Sequence, residues 1–184
     1  SEAKTLLIEL HAIDAQGRIT EEGRKLRALP LPPRLSRMVI DAAAEGAGEC
    51  AAEIAAIVSE RGLGGTDVDL GHRLDQFRRD RSRRGEDARR MAKRWAEDAG
   101  KSTKQSDLSA GSILALAYPD RIAKSRGSDG AFLLANGRGA NVDPASALAR
   151  EPFLAVAEMT GTAARAGILL AAPITLEEIE ARFG

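Results

Sequence analysis

Cysteine is nearly absent: Cys50 is the only one in 184 residues, so no internal disulfide can form. There are two histidines, His11 and His72, far apart in sequence and without a carboxylate pair at ligand spacing beside either. Neither metal binding nor histidine-centred acid-base chemistry has a visible constellation. No apolar run approaches the ~20 residues of a membrane-spanning helix, and the opening Ser-Glu-Ala-Lys has no charged-then-apolar leader. No membrane partner and a reducing cytoplasm are expected. Aromatics are scarce as well, with Phe 4, Trp 1 and Tyr 1, so the core must come from Leu, Ile, Val and Ala. Net charge is also lacking, since 27 Lys+Arg balance 27 Asp+Glu, and the whole chain is no generic polycation.

Helical periodicity fills the first half. Ala3, Leu6, Leu7, Leu10 and Ile13 fall on one helical face, and Asp14 to Gly17 reads as the turn that ends it. Thr20 is placed to cap a short second helix whose first turn carries Glu21 and Glu22. Pro30, Pro32 and Pro33 then make a rigid elbow. Leu35, Met38, Val39 and Ala42 form one apolar stripe, and Ala51, Ile54, Ile57 and Val58 another, with Gly46 to Gly48 between them. Thr66 or Asp67 is expected to cap a helix bearing Leu70, Leu74 and Phe77. Ala88, Met91, Ala92, Trp95, Ala96 and Ala99 define the next, which Gly100 ends. Residues 101–105 read as a linker, with Asp107 or Ser109 capping a short apolar helix through Ala117.

Beyond Pro119 the pattern changes to short apolar runs between turn residues. Phe132 to Ala135, Phe153 to Met159 and Gly167 to Ala172 read as strands, and Thr175 with Glu177 and Glu178 opens a last helix ending near Phe183. Two glycine-containing segments imitate nucleotide loops. Gly100-Lys101-Ser102-Thr103 resembles the end of a P-loop, but the earlier glycine that motif requires falls at Trp95, inside a helical stripe. Gly46-Ala47-Gly48 has helix on both sides instead of a preceding strand, so a helix-turn-helix joint explains it better.

Charge is segregated along the chain. From Met38 to Glu60 there are five acids and no Lys or Arg, whereas Arg73 to Arg94 holds ten basic residues against four acids. Guanidinium forks suit phosphate oxygens, so Arg73, Arg78, Arg79, Arg81, Arg83, Arg84, Arg90 and Arg94 are candidate nucleic-acid contacts. A second set lies in the strand-rich half: Arg121, Lys124, Arg126 and Arg138, the last between two glycines, Gly137 and Gly139, that let backbone approach a phosphate, with Asn136 and Gly137 counted among the contacts; an ordinary hairpin turn is the competing reading of this stretch. The competing reading is a solvated or internally paired face. Asp41, Glu45, Glu49 and Glu53, spaced by four, are available to neutralise arginines.

Specific segments carry a resemblance. Leu10-His-Ala-Ile-Asp-Ala-Gln-Gly-Arg-Ile-Thr-Glu-Glu-Gly23, continuing to Leu29-Pro-Leu-Pro-Pro-Arg-Leu-Ser-Arg-Met38, resembles the helicase-associated region that follows the second motor domain of DEAH-box RNA helicases. Leu116 to Ala123, Leu134 to Ala140 and Leu170 to Ile174 are similar to one bacterial branch of that family. The resemblance implies an α+β chain: a degenerate winged-helix remnant over 1–34, a ratchet-like helical bundle over 35–105, and an oligonucleotide-binding-fold (OB-like) β domain over 106–184. It also implies single-stranded RNA and the motor domains of the same polypeptide as partners. No complete P-loop or Asp-Glu-Ala-His box occurs in the sequence. A non-catalytic accessory module is therefore expected, with no catalytic, cofactor or metal residues, and with ATP and magnesium confined to the motor domains of the parent helicase. The alternative is a module that docks the motor or another protein without touching RNA.

Overall fold

Side-chain caps begin most of the helices, and they fix where each one starts. The computed structural model describes residues 1–161 and 166–184. Ser1 accepts a hydrogen bond from the Lys4 amide at the start of α1 (Glu2–Glu9). Asp14 Oδ1 then accepts from the Gln16 and Arg18 amides, both at 2.9 Å, closing the turn. Thr20 Oγ1 accepts from Gly23 N at 3.0 Å and opens α2 (Glu21–Arg27). The proline elbow follows, with Pro33 at the first position of α3 (Pro33–Ala44), where its missing N–H costs nothing.

Helices α3, α4 (Gly48–Ser59), α5 (Leu70–Arg79) and α6 (Arg83–Ala99) build the bundle. Met38, Val39 and Ala42 of α3 meet Ala51, Ile54 and Ile57 of α4, Leu70, Leu74 and Phe77 of α5, and Ala88, Ala92, Trp95 and Ala96 of α6. Phe77 is fully buried, which stabilises the bundle by about 1.5–3 kcal/mol through its apolar area alone. The α5 cap lies further along than the sequence suggests. Asp69 accepts from Gly71 N, while Asp67 accepts from the Asp69 amide and forms the preceding turn, so the chain makes one more bend before the helix.

Helix α7 (Ala110–Ala117) is capped by Ser109 and buried on nearly every side, because it lies between α3 and the sheet. Five strands close that sheet into a barrel: β1 (Ile122–Ser125), β2 (Ala131–Leu134), β3 (Gly139–Asn141), β4 (Phe153–Thr160) and β5 (Ala166–Pro173), in the order β1-β2-β3-β5-β4. Among the described strands, only β3 and β5 pair in parallel. This is the five-stranded OB-like arrangement, and the chain is α+β. β1 and β3, four and three residues long, were not evident as strands in the sequence.

The alanines that weaken strand propensity have a packing reason. Leu154 and Val156 of β4 fill the barrel with Phe132, Leu134 and Ile168. The alternate residues Ala155 and Ala157, with Leu170 and Ala172 of β5, join the helical core instead. Small outer side chains let α7 lie directly on the sheet. Gly111 marks the closest approach, since a Cβ there would sit 2.0 Å from the Pro173 carbonyl oxygen. A further hydrogen bond, from the Ala171 amide to the Val68 carbonyl at 2.9 Å, ties the segment before α5 to β5. Helix α8 (Leu176–Phe183) opens with a capping box between Thr175 and Glu178. Its Glu178 also accepts from the hydroxyls of Ser109 and Ser112, and Arg182 pairs with Glu45 of the bundle.

Candidate nucleic-acid interface

Two consecutive amphipathic helices, α5 and α6, carry the basic block. Their apolar stripes face the core, so the intervening arginines are turned toward solvent or toward α4. Their fates differ. Arg73 is only 6% exposed and donates from a terminal nitrogen to the Leu63 carbonyl at 3.2 Å. Burial pushes its guanidinium pKa down, against the pull of Glu158 and Asp67. It is a buried junction residue, not part of the solvent-facing block. Arg78 is forked onto Glu53 of α4, with N···O distances of 3.0–3.2 Å, and also reaches Cys50 Sγ at 3.7 Å. Hydrogen bonding to Glu53 pushes the Arg78 pKa up. Burial raises the Cys50 thiol despite that neighbour, and it has the character of a packed side chain.

Arg84 donates to the Arg61 carbonyl at 2.7 Å and approaches Glu60 at 3.6 Å; Arg90 pairs with Asp87 one turn away. Arg79, Arg81, Arg83 and Arg94 are exposed and form no ion pair among the described residues. Arg83 and Arg94 line one cleft of about 530 Å³ with Arg84, Met91, Glu60 and Asp87. The acidic run of α3 and α4 thus neutralises part of the block. Glu53 takes Arg78, while Asp41 and Glu45 are turned to Arg37 and Arg182.

In the barrel, Arg121 is committed to structure. It donates to the Ala157 carbonyl at 2.6 Å and stacks over the Tyr118 ring with its guanidinium carbon 4.6 Å from the centroid. Arg34 lies 5.6 Å from that same ring. Burial raises the Tyr118 pKa, and the two guanidiniums only partly counter it. Lys124, Arg126 and Arg138 remain exposed and form no ion pair among the described residues. Lys124 is the outward residue of β1, flanked across the sheet by Leu133 of β2 and Phe153 of β4. Asn136 and Gly137 form the β2–β3 turn. Asn136 Oδ1 accepts from the Arg138 amide at 3.0 Å, and Gly137 has φ +88°, a conformation that favours glycine.

Sequence reasoning missed the arginines that hold the parts together. Arg34 of α3 donates to Asp120 at 2.8 Å and to the Ala117 carbonyl at 3.0 Å, across more than eighty residues of chain. Arg37 joins Glu22 of α2 at 3.0 Å and also reaches the Leu10 carbonyl. Both lie in the motif-bearing stretch after the proline elbow, which gave their position but not their partners. The segment 101–104 leaves the α6 terminus without a preceding strand, so its Gly-Lys-Ser-Thr run lacks the strand-to-helix setting of a phosphate loop. No cluster of metal-ligating side chains occurs among the described residues, and no described helix is long and apolar enough to cross a membrane.

Residues 5–31 match the winged-helix family of the helicase associated domain, HA2. The chain is 36% identical over 183 residues to the ATP-dependent RNA helicase HrpB of Escherichia coli (strain K12), covering 98% of this chain and 22% of that protein. A crystal structure of the E. coli DExH-box NTPase HrpB superimposes with a TM-score of 0.80 at 32% identity, over 98% of this chain and 22% of that one. A second, described as the E. coli DEAH/RHA helicase HrpB, gives 0.77 at 31% identity, over 95% of this chain and again 22% of the other. The chain therefore spans about a fifth of the length of these relatives, within their C-terminal part. In sequence over nearly its whole length, and in its helical bundle and OB-like barrel, the chain is similar to the C-terminal, helicase-associated part of the DEAH-box helicase HrpB.

Proposed function

We propose that this chain is the accessory, non-catalytic module of a DEAH-box RNA helicase and that it holds single-stranded RNA by sequence-independent phosphate contacts. The observation that carries the reading is the pair of exposed basic sets. Arg79, Arg81, Arg83 and Arg94 lie on the helical side and Lys124, Arg126 and Arg138 on the barrel, all without carboxylate partners among the described residues. Such cations meet phosphates at little desolvation cost, and they position a strand without reading its bases. The proposed division is 1–34 for the winged-helix remnant, 35–105 for the bundle and 106–184 for the barrel region. ATP hydrolysis, with its magnesium, is assigned to motor domains of the same polypeptide, and the setting to the cytoplasm.

The test is single-strand RNA binding measured against salt. Each phosphate left without its cation flattens the log-log slope by about 0.7. Loss of slope on replacing the exposed arginines supports the reading, and an unchanged slope rejects it.

A second reading rests on a separate observation. Two largely apolar grooves, about 600 and 580 Å³, flank the proline elbow, one lined by Leu6, Trp95 and Tyr118 and the other by Leu7, Ile19 and Leu26. Grooves of this kind suit docking against the motor domains. Co-sedimentation with separately produced motor domains, with RNA binding absent, would favour docking over RNA holding.

A further inference from the structure

One polar feature of the core is left unexplained by packing. Arg73 Nε is buried and has no hydrogen-bond partner among the described residues, in a residue that is only 6% exposed. Buried guanidinium N–H groups are normally satisfied, so an orphan points to strain, a bound water or a ligand. The residue itself borders a space. Arg73 lines a cleft of about 480 Å³ at the seam of bundle and barrel, with Arg61 and Thr66 on the bundle side and Glu158 and Leu169 on the barrel side.

The chemistry of those groups is mixed in a specific way. Arg61 is exposed, and with Arg73 it offers donors to an anion. Glu158, at the irregular register of β4, is half-buried and makes no ion pair or side-chain hydrogen bond among the described residues, so its carboxylate offers acceptors only. Leu169, 48% exposed on β5, supplies an apolar surface. A simple anion would satisfy the arginines and be repelled by Glu158. A ligand that satisfies all three needs an anionic group, a hydrogen-bond donor and an apolar part, and a ribonucleotide unit supplies them as its phosphate, its 2′-hydroxyl and its base. The 2′-hydroxyl is the group by which proteins distinguish RNA from DNA.

We propose that this seam cleft is a ribonucleotide subsite in which Arg61 and Arg73 hold a phosphate, Glu158 accepts a hydrogen bond from the ribose 2′-hydroxyl, and Leu169 supports the base. The inference rests on the RNA reading above and adds to it a ribose-sensing residue. The exposed arginines of α5 and α6 hold backbone of either sugar type, and Glu158 supplies the preference.

The test uses the full chain, isotopically labelled, titrated with adenosine 5′-monophosphate, its 2′-deoxy counterpart and inorganic phosphate while the amide resonances of Gly62, Gly65 and Thr66 are followed. Adenosine monophosphate moves these amides saturably, and the deoxy form binds at least about five-fold more weakly. Glu158→Ala removes that difference, and Arg61→Ala weakens both nucleotides alike. Both variants replace side chains outside the buried core, which avoids the folding defect that replacing Arg73 risks. Equal affinity for the two nucleotides, an unchanged ratio in Glu158→Ala, or no saturable shift at these amides would overturn the inference. Inorganic phosphate binding as tightly as adenosine monophosphate would overturn it too, reducing the cleft to an anion seat. These failures are separate from failure of the RNA reading, because oligonucleotide binding through Arg79, Arg81, Arg83 and Arg94 is scored by its salt slope.

Discussion

The bundle and the barrel use arginine differently. In the bundle the basic block sits beside an acidic helix, and Arg78, Arg84 and Arg90 each find a carboxylate, while Arg73 is drawn into the core. In the barrel, none of the candidate cations forms an ion pair among the described residues. Lys124, Arg126 and Arg138 project freely, and Arg121 is the one cation of that candidate set taken up by structure, against Tyr118 and the Ala157 carbonyl. The difference teaches that a count of basic residues overstates the cationic surface where oppositely charged helices pack together. The barrel set keeps three of its four candidate cations free, Lys124, Arg126 and Arg138, whereas the bundle set keeps four of eight, Arg79, Arg81, Arg83 and Arg94.

The sharpest way to break this comparison is to ask whether the two halves are separate at all. Phe77→Ala in the bundle and Phe132→Ala in the barrel each remove a fully buried ring and are expected to cost about 3–5 kcal/mol. The helical core includes Ala155, Ala157, Leu170 and Ala172 of the barrel, so each variant should lower one shared melting transition in calorimetry. Two resolved transitions, with only one displaced by each variant, would show that the halves fold independently. Gly111→Ala attacks the joint directly. Its Cβ would meet the Pro173 carbonyl at 2.0 Å, and a destabilisation of about 2–3 kcal/mol is expected in a denaturant titration.

A smaller effect is expected at Glu178. Burial raises its pKa, but hydrogen bonds from Ser109, Ser112 and Thr175 outweigh burial and hold it below the ordinary value. A carboxylate with a depressed folded-state pKa stabilises the fold above its unfolded-state pKa, and that contribution is lost as pH falls through the folded-state value. Glu178→Gln should therefore destabilise the chain at neutral pH and flatten the acid limb of its stability profile. An acid limb identical to that of the wild type would contradict the assignment. The smallest effect is at the surface pairs: Arg90→Ala, which breaks an exposed pair with Asp87, should change stability by less than about 0.5 kcal/mol.

Local chemistry was legible in the sequence wherever it needed only near neighbours. The Thr20 cap, the proline elbow, the Trp95 stripe, the Asn136-Gly137 turn and the Thr175 cap all depend on residues within a turn or two, and each is present. What was not legible depends on distant partners. β3 is Gly-Ala-Asn, a strand only because β2 and β5 flank it. β1 follows a proline turn and pairs with β4 some thirty residues later. The α5 cap falls at Asp69 because the preceding segment is pinned to Ala171 of β5. At the interface, the composition of the arginine block was visible, but its division was not. Arg73 is buried by the register of α5 against the Leu63 loop, and Arg78 meets Glu53 only through the packing of α5 on α4. Arg34 and Arg37, both structural, resembled any other surface arginine until their partners were known.

The most direct test compares the salt dependence of single-stranded RNA binding for two triple variants of the full chain. One removes exposed, unpaired arginines (Arg79→Ala, Arg83→Ala, Arg94→Ala), and the other removes paired ones (Arg78→Ala, Arg84→Ala, Arg90→Ala). The first should flatten the log-log slope by about 0.7 for each phosphate no longer neutralised, and the second should leave it near the wild-type value. Equal flattening by both sets, or flattening by the paired set alone, would contradict the claim that internal pairing decides which arginines meet RNA.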